Sequence, residues 1–100
     1  MDKNRVILQA IALRGCIQAT YNRMAVKLAP HILYTRHDEL FVDAVTVERD
    51  GNPPREYKLG TFKLSGLAIS GIVEGGYQLS ADFDPSAEKY AGVTLFAVER

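Results

Sequence analysis

The stretch LFVDAVTVE, residues 40–48, most constrains the fold of this chain. It is rich in β-branched and aromatic residues and runs almost continuously apolar, which is the pattern of a central β-strand. A central strand needs a neighbouring strand on each side for its backbone hydrogen bonds. The rest of the chain must therefore supply further strands.

One helix precedes these strands. DKNRVILQAIALRG predicts a helix from about Lys3 to Arg14. Asp2 or Asn4 can cap its amino end, and Gly15 suits the left-handed residue just past its carboxyl end. Because only a narrow stripe of this helix is polar, we expect it to lie on an apolar surface formed by the segments that follow.

The strand-like segments are short and separated by turn residues. We predict strands within CIQATYN (16–22), MAVKLAPHILYT (24–35), REYKLG (55–60), FKLSGLAISGIV (62–73) and VTLFAVE (93–99). Pro30 predicts an edge, a bend or a bulge in the second of them. TRHDE (35–39) predicts a turn, and RDGNPP (49–54) predicts a loop.

The last third of the chain is predicted to return to the sheet through a short helix. Residues 74–84 predict a flexible or extended link, and DPSAEKYAG predicts a helix with Asp84 as cap, Pro85 in the first turn and Gly92 as stop. The whole order predicts a single domain over residues 1–100, mainly β with α. We expect a small β-barrel with an N-terminal helix and a short C-terminal helix.

Charge and cysteine content exclude several functions. The formal net charge is zero, with ten Lys/Arg against seven Asp/Glu in residues 1–63 and two against five in residues 64–100. This mild asymmetry falls short of the basic stripe of a dedicated nucleic-acid binder. Cys16 is the only cysteine, so an internal disulfide or a cysteine zinc cluster is excluded. No membrane span or secretory signal is visible, so we expect a cytoplasmic protein.

The residues that could form a catalytic or metal site are poorly spaced for either role. His31 and His37 are six residues apart, a spacing that would separate them by about 20 Å on an extended strand. Asp38 and Glu39 are adjacent and would point in opposite directions, which makes a poor acid–base pair. A glycine-rich phosphate loop and a Gly-x-Ser-x-Gly elbow are missing too, since EGGY (74–77) lacks the required lysine. We therefore expect no catalysis, no metal and no cofactor.

The aromatic residues allow two interpretations. In the core, the aromatics of the predicted strands need no further explanation: Tyr21, Tyr34, Phe41, Tyr57 and Phe62. On an exposed strand face beside Arg55, Lys58 and Lys63, they would form a stacking platform with phosphate-binding charges. Core is the favoured role for most of them, and Tyr34 and Tyr57 are predicted to be accessible because their neighbours are polar or charged.

The order of motifs resembles a WYL domain, a ligand-sensing module of bacterial transcription regulators. The resemblance covers a helix before a strand that ends in Tyr21, a proline-containing strand, and the triplet Leu40–Val42 where the family has Trp-Tyr-Leu. It continues through REYKLGTFKL (55–64) to the Phe-Asp helix opening in ADFDPSAEKYAG (81–92). It therefore spans about Val6 to Gly92, although each motif is degenerate.

Three positions depart from the family pattern. Leu40 stands in place of the tryptophan, Phe41 in place of the tyrosine, and Thr61 in place of a second arginine. The missing arginine removes a bidentate fork for a carboxylate or phosphate, which Lys58 or Lys63 could replace only as point charges. The resemblance implies an SH3-like or Sm-like barrel, no catalysis, and a pocket for a small effector or nucleic acid. A winged helix is not visible before the barrel, so a stand-alone module is expected.

Two functions follow as hypotheses. The first is a non-enzymatic regulatory module, linked to transcription, that binds a small anionic effector or single-stranded nucleic acid. Arg55 anchors the anion, Lys58 or Lys63 assists, and Tyr34, Tyr57 and Phe41 line the site. The alternative is a structural protein, a homo-oligomer that assembles through exposed edge strands.

Overall fold

The computed structural model describes residues 3–73, 77 and 79–98. They form one helix and six strands: α1 Lys3–Leu13, β1 Cys16–Tyr21, β2 Met24–Arg36, β3 Glu39–Arg49, β4 Leu59–Lys63, β5 Leu67–Val73 and β6 Thr94–Ala97. Single 3-10 turns occur at Leu64–Gly66 and Glu88–Tyr90. A mainly β fold with an N-terminal helix is confirmed. The predicted Asp2 cap and most of the EGGY segment lie outside the described residues.

The strands form an open antiparallel sheet centred on two long strands. The order is β4-β3-β2-β1-β5, and β6 also pairs with β2. The first half of β2 pairs with β1, and its second half, from Ile32 to Tyr34, pairs with β6. The central position predicted for residues 40–48 is confirmed, because β3 lies between β2 and β4.

Pro30 lies at a bulge, one of the three alternatives predicted for it. The register between β2 and β3 shifts between Pro30 and Ile32, and the strand continues on both sides. A bulge tolerates proline because one residue of the ladder is left unpaired there.

Two tight hairpins join the first three strands. Asn22 and Arg23 have φ of 50° and 65°, and His37 and Asp38 have φ of 52° and 63°. Two consecutive left-handed residues between paired strands are the geometry of a type I′ turn, which matches the twist of the flanking strands. His37 and Asp38 therefore form the predicted turn.

The core lies between one face of the sheet and α1, which packs across β1, β2, β5 and β6. Ile7, Ala10 and Ile11 are the buried residues of the helix. The rings of Tyr21 on β1 and Phe62 on β4 meet edge-to-face, with centroids 5.1 Å apart. Strands three positions apart in a flat sheet are separated by about 14 Å, so this contact shows that the sheet curls.

Helix α1 ends one residue earlier than predicted. The left-handed residue is Arg14, with φ of 53°, and not Gly15. The Arg14 amide donates to Ile11 and the Gly15 amide to Ala10, which is the bond pattern of a Schellman motif. Space at position 15 is limited instead, because a Cβ there would lie 3.2 Å from the Ile72 side chain, which would have to move slightly.

Three further predictions differ from the structure. The predicted C-terminal helix is not formed: residues 84–92 contain only the 3-10 turn Glu88–Tyr90, flanked by irregular turns. Asp84 accepts from the amide and the hydroxyl of Ser86, two residues later. REYKLG is strand only from Leu59 onward, because the residues before it belong to the loop after β3. Closure of a barrel is not seen, since β4 and β5 are not paired with each other among the described strands.

Candidate functional site

The main candidate site is a surface groove of about 740 Å³ beside β3, β4 and the loop between them. We call it the basic groove. Its charged lining residues are Arg49, Arg55, Lys58 and Glu56, and its apolar walls include Pro53, Pro54 and Phe62. Three cations against one carboxylate give these lining residues a net positive charge. Such a groove favours an anion that also carries an apolar part.

The loop that carries the groove is anchored by backbone hydrogen bonds. The Arg49 amide donates to the Asn52 carbonyl at 2.8 Å, and the Asn52 amide donates back at 3.0 Å. Asp50 takes φ of 51° and Gly51 takes φ of 83°, so the chain reverses sharply between them. The Asp50 carboxylate accepts from the amide of Ala25 at 3.2 Å. These bonds fix the start of the loop, and the two prolines that follow restrict it further.

The basic side chains of the groove form few and weak ion pairs with the described residues. Lys58 lies 3.0 Å from Glu56, but both side chains are mostly exposed, and an ion pair of this kind contributes little. Arg49 and Arg55 form no ion pair with any residue that the structure describes. No ion pair with a described residue therefore competes with an incoming anion for either guanidinium group.

The structure separates the predicted site residues. Arg55 and Lys58 line the basic groove, but Tyr57 lines a different cavity and is 59% exposed. Lys63 pairs with Glu39 at 2.9 Å and lies outside the groove. Tyr57 is accessible as predicted, whereas the predicted accessibility of Tyr34 is wrong.

Tyr34 is buried because it belongs to a polar cluster in the protein interior. Only 1% of Tyr34 is exposed, and its hydroxyl donates to Asp43 at 2.7 Å. Phe41 stacks on the Tyr34 ring with centroids 6.1 Å apart. Neither aromatic lines the basic groove. Tyr34 is therefore part of the buried polar cluster, and Phe41 packs against its ring.

Asp43 is the centre of this cluster, and sequence reasoning missed it. The carboxylate is 1% exposed and accepts hydrogen bonds from Tyr34, Thr61 at 2.8 Å, Lys89 at 2.9 Å and Tyr90. Burial opposes ionisation, but the four donated bonds outweigh it and hold the pKa of Asp43 below its ordinary value. A signal was available: Asp43 is the single charge inside LFVDAVTV, and a buried charge requires partners.

His31 is also buried and fully bonded. Its Nδ1 lies 2.8 Å from the Ala29 carbonyl oxygen, and its Nε2 lies 3.0 Å from the Ser80 amide nitrogen. A carbonyl only accepts and an amide only donates, so Nδ1 carries the proton and the ring is neutral. Burial lowers the pKa of His31, although the Ala29 carbonyl and the charge of Asp43 oppose the shift. His31 therefore joins the C-terminal segment to β2.

Comparisons of the chain with models of protein families, with curated proteins and with solved structures gave no match. The resemblance to WYL domains therefore stays a prediction. In the part of the chain that the structure describes, no three His, Cys, Asp or Glu side chains are grouped as metal ligands would be. The helices described there are too short or too polar to cross a bilayer.

Proposed function

We propose that this protein is a non-enzymatic regulatory module that binds a small anionic effector in the basic groove. The observation that carries the proposal is the convergence of Arg49, Arg55 and Lys58 on one groove with apolar walls. A guanidinium presents a planar fork of donors that matches a carboxylate or phosphate, and an ammonium adds a point charge. Phe62 and the two prolines would cover the apolar part of the effector.

Arg49 compensates in this proposal for the arginine that the family resemblance leads one to expect at position 61. Thr61 occupies that position, and its hydroxyl donates to the buried carboxylate of Asp43. Thr61 itself is exposed, but its hydroxyl is engaged by that carboxylate, and the residue does not line the groove. Arg49, which ends β3, brings the second guanidinium to the groove from the other side of the loop.

The proposed fold is a partly open barrel of the SH3 or Sm type, as in WYL domains. Three features support it. The strand order is β4-β3-β2-β1-β5, a single 3-10 turn links β4 directly to β5, and the sheet curls until Tyr21 meets Phe62. A cytoplasmic role in transcription regulation is part of the same proposal and rests on the resemblance to that family.

A binding assay with two single variants tests the site. The probes are ATP and a short single-stranded oligo(dT), each measured at about 50 and 200 mM salt. We expect Arg55→Ala and Arg49→Ala each to weaken ATP binding at least about tenfold, because each removes charge-assisted hydrogen bonds. Arg5→Ala, an exposed arginine on α1, is the matched control and should bind like the unmodified protein.

Two results would overturn this assignment. One is ATP affinity that is equal in the Arg55→Ala, Arg49→Ala and Arg5→Ala variants. The other is binding of oligo(dT) alone, which would make the groove a nucleic-acid site. In that case the steep fall of affinity with salt should be reduced in both groove variants.

Assembly through edge strands is the second candidate function, and the composition of β5 favours it. β5 reads LAISGIV and ends the sheet, with no charged residue and no proline to block pairing with another chain. At the opposite edge of the sheet, β4 lies next to β3 only. An assembly in which β5 of one copy pairs with β4 of the next would satisfy both edges.

Solution mass distinguishes this candidate. We expect a concentration-dependent oligomer by light scattering, and we expect Ala68→Lys, which places a charge on an exposed position of β5, to shift it toward the monomer. Ala12→Lys on the exposed face of α1 is the control. A monomer at high concentration in the unmodified protein would remove the candidate.

A further inference from the structure

A second cavity lies on the opposite side of the sheet from the basic groove. It has a volume of about 580 Å³ and lies between the central strands and the C-terminal segment of residues 77 and 79–82. We call it the apolar cavity. Leu59, next to it on β4, packs in the satellite cluster formed by Cys16, Ala29 and Val45, whereas Gly60 lines the basic groove. The alternation of strand side chains therefore places the two sites on different faces.

Small side chains form the floor of the apolar cavity. Ala29 and Val45 are 2% and 6% exposed, and Val47 continues the same row along β3. Because these side chains are short, the space above them is not filled by the sheet itself. The volume lies within the range of pockets that hold small molecules, about 300–1,000 Å³.

Two tyrosines line the apolar cavity. Tyr77 is held rigidly, because its hydroxyl donates to the Pro30 carbonyl and its ring packs on His31 with centroids 5.1 Å apart. Tyr57, which also lines the cavity, is 59% exposed. A fixed ring and an accessible ring in a cavity with an apolar floor suit a flat aromatic ligand, which gains from offset or edge-to-face contact with either ring.

The rim adds one charge. Among the described residues that line the apolar cavity, only Asp82 is charged, and Ser80 is its polar neighbour. The amide of Asp82 donates to the Ser80 hydroxyl at 3.1 Å, which fixes the backbone of the rim. A carboxylate at the mouth of an apolar cavity favours a ligand with a positive group beside its aromatic part.

We propose that the apolar cavity binds a small aromatic cation of the aryl-alkylamine class. The aromatic part lies beside Tyr57 and Tyr77 over the floor of Ala29 and Val45, and the ammonium group lies at Asp82. This site is independent of the basic groove. The loop that carries Arg55 into the groove also carries Tyr57 into the cavity, but the two sites share no lining residue.

Tryptamine is the direct probe for this site. The protein has no tryptophan, so indole fluorescence reports the ligand alone. We expect the emission of tryptamine to shift to shorter wavelength and saturate as the protein is added. Neutral indole should bind more weakly, by about three- to tenfold, because it lacks the charge that faces Asp82. Indole-3-propionate, which carries a negative charge, should be weaker still.

Two exposed substitutions locate the binding. Tyr57→Ala should reduce the affinities for tryptamine and indole by similar factors of about five- to tenfold, because it removes an aromatic ring that lines the cavity. Asp82→Asn should reduce the affinity for tryptamine to that for indole and leave the affinity for indole unchanged. Arg55→Ala is the matched control from the same loop as Tyr57 and should not alter tryptamine binding.

The proposal is overturned if tryptamine does not bind the unmodified protein. It is also overturned if Tyr57→Ala and Asp82→Asn both bind tryptamine with the original affinity. Indole-3-propionate that binds the unmodified protein but not Arg55→Ala occupies the basic groove, which supports the proposed function separately. Each variant is first shown to unfold at the same temperature as the original protein, so that lost binding reports the site.

Discussion

Replacing Asp43 with asparagine should destabilise the protein by about 2–4 kcal/mol. The carboxylate is the acceptor for the hydroxyls of Tyr34, Thr61 and Tyr90 and for the ammonium of Lys89. Asparagine keeps one acceptor oxygen and replaces the other with an NH₂ group, which cannot accept from Tyr90 or Lys89.

The magnitude follows from the burial of these groups. A hydrogen bond to a charged group contributes about 1.5–3 kcal/mol, and a buried donor left without an acceptor costs about 1–3 kcal/mol. The side chain of Lys89 is 48% exposed, so water largely replaces the hydrogen bond that its ammonium group loses. Relief from burying the charge offsets part of the remainder. The net value is a large fraction of the roughly 5–15 kcal/mol expected for a domain.

The pH dependence gives an independent check. The pKa of Asp43 is lowered in the folded state from the ordinary value of 3.8. The unfolded chain therefore binds this proton more readily than the folded chain, and the stability that the carboxylate contributes is present above about pH 4. It is lost as the pH falls below that value, toward the folded-state pKa. The asparagine variant should lack this part of the acid sensitivity.

Urea unfolding followed by circular dichroism measures the change. We expect a lower midpoint with an unchanged slope, and a thermal midpoint lower by roughly 8–30 °C, at about 4–8 °C for each kcal/mol. Thr61→Val, which removes one of the four donors, is the graded control and should cost about 1 kcal/mol. A decrease of less than about 0.5 kcal/mol in the free energy of unfolding of Asp43→Asn would refute the reasoning, because it would mean that the hydrogen bonds to Asp43 do not contribute to stability.

Two other changes have expected outcomes in thermal unfolding. Burial lowers the folded-state pKa of His31, so the free energy of unfolding should be highest above about pH 6.5 and should fall as the pH decreases below that value. His31→Gln should reduce this pH dependence, and a variant with the same pH dependence as the original protein would contradict the explanation. Arg23→Gly should stabilise by about 0.5–1 kcal/mol, because it gives the hairpin after Asn22 the preferred residue for a left-handed φ. Arg23→Ala keeps the Cβ and should show no gain; equal gains in both variants would contradict the explanation.

Local patterns predicted the parts of the fold that depend on neighbours in the chain. The helix, the central strand at residues 40–48 and the turn at His37 follow from periodicity and backbone preference over a few residues, and Pro30 limited its position to an edge, a bend or a bulge. The C-terminal helix failed for the opposite reason. Lys89 and Tyr90 reach the carboxylate of Asp43, which lies 46 and 47 residues earlier in the chain. These tertiary bonds oppose a regular helix at that position.

The candidate site was predicted in composition but not in arrangement. Arg55 and Lys58 do share a groove, but Arg49 joins them and Tyr57 faces a separate cavity. The side of a sheet on which a residue lies depends on strand register, and residues 55–58 precede the first paired residue of β4. A loop has no fixed period from which the faces of its side chains can be read.

The sequence by itself determined the mainly β class, the N-terminal helix, the turn at His37 and the neutral overall charge. Only the tertiary structure decided that Tyr34 is buried, that Asp43 collects four donors and that two cavities occupy opposite faces of the sheet. The physical reason is the distance along the chain over which each kind of interaction acts. Periodicity and turn preference act between near neighbours, whereas burial and ion pairing join residues such as Asp43 and Thr61, which are 18 positions apart and meet only when β3 pairs with β4.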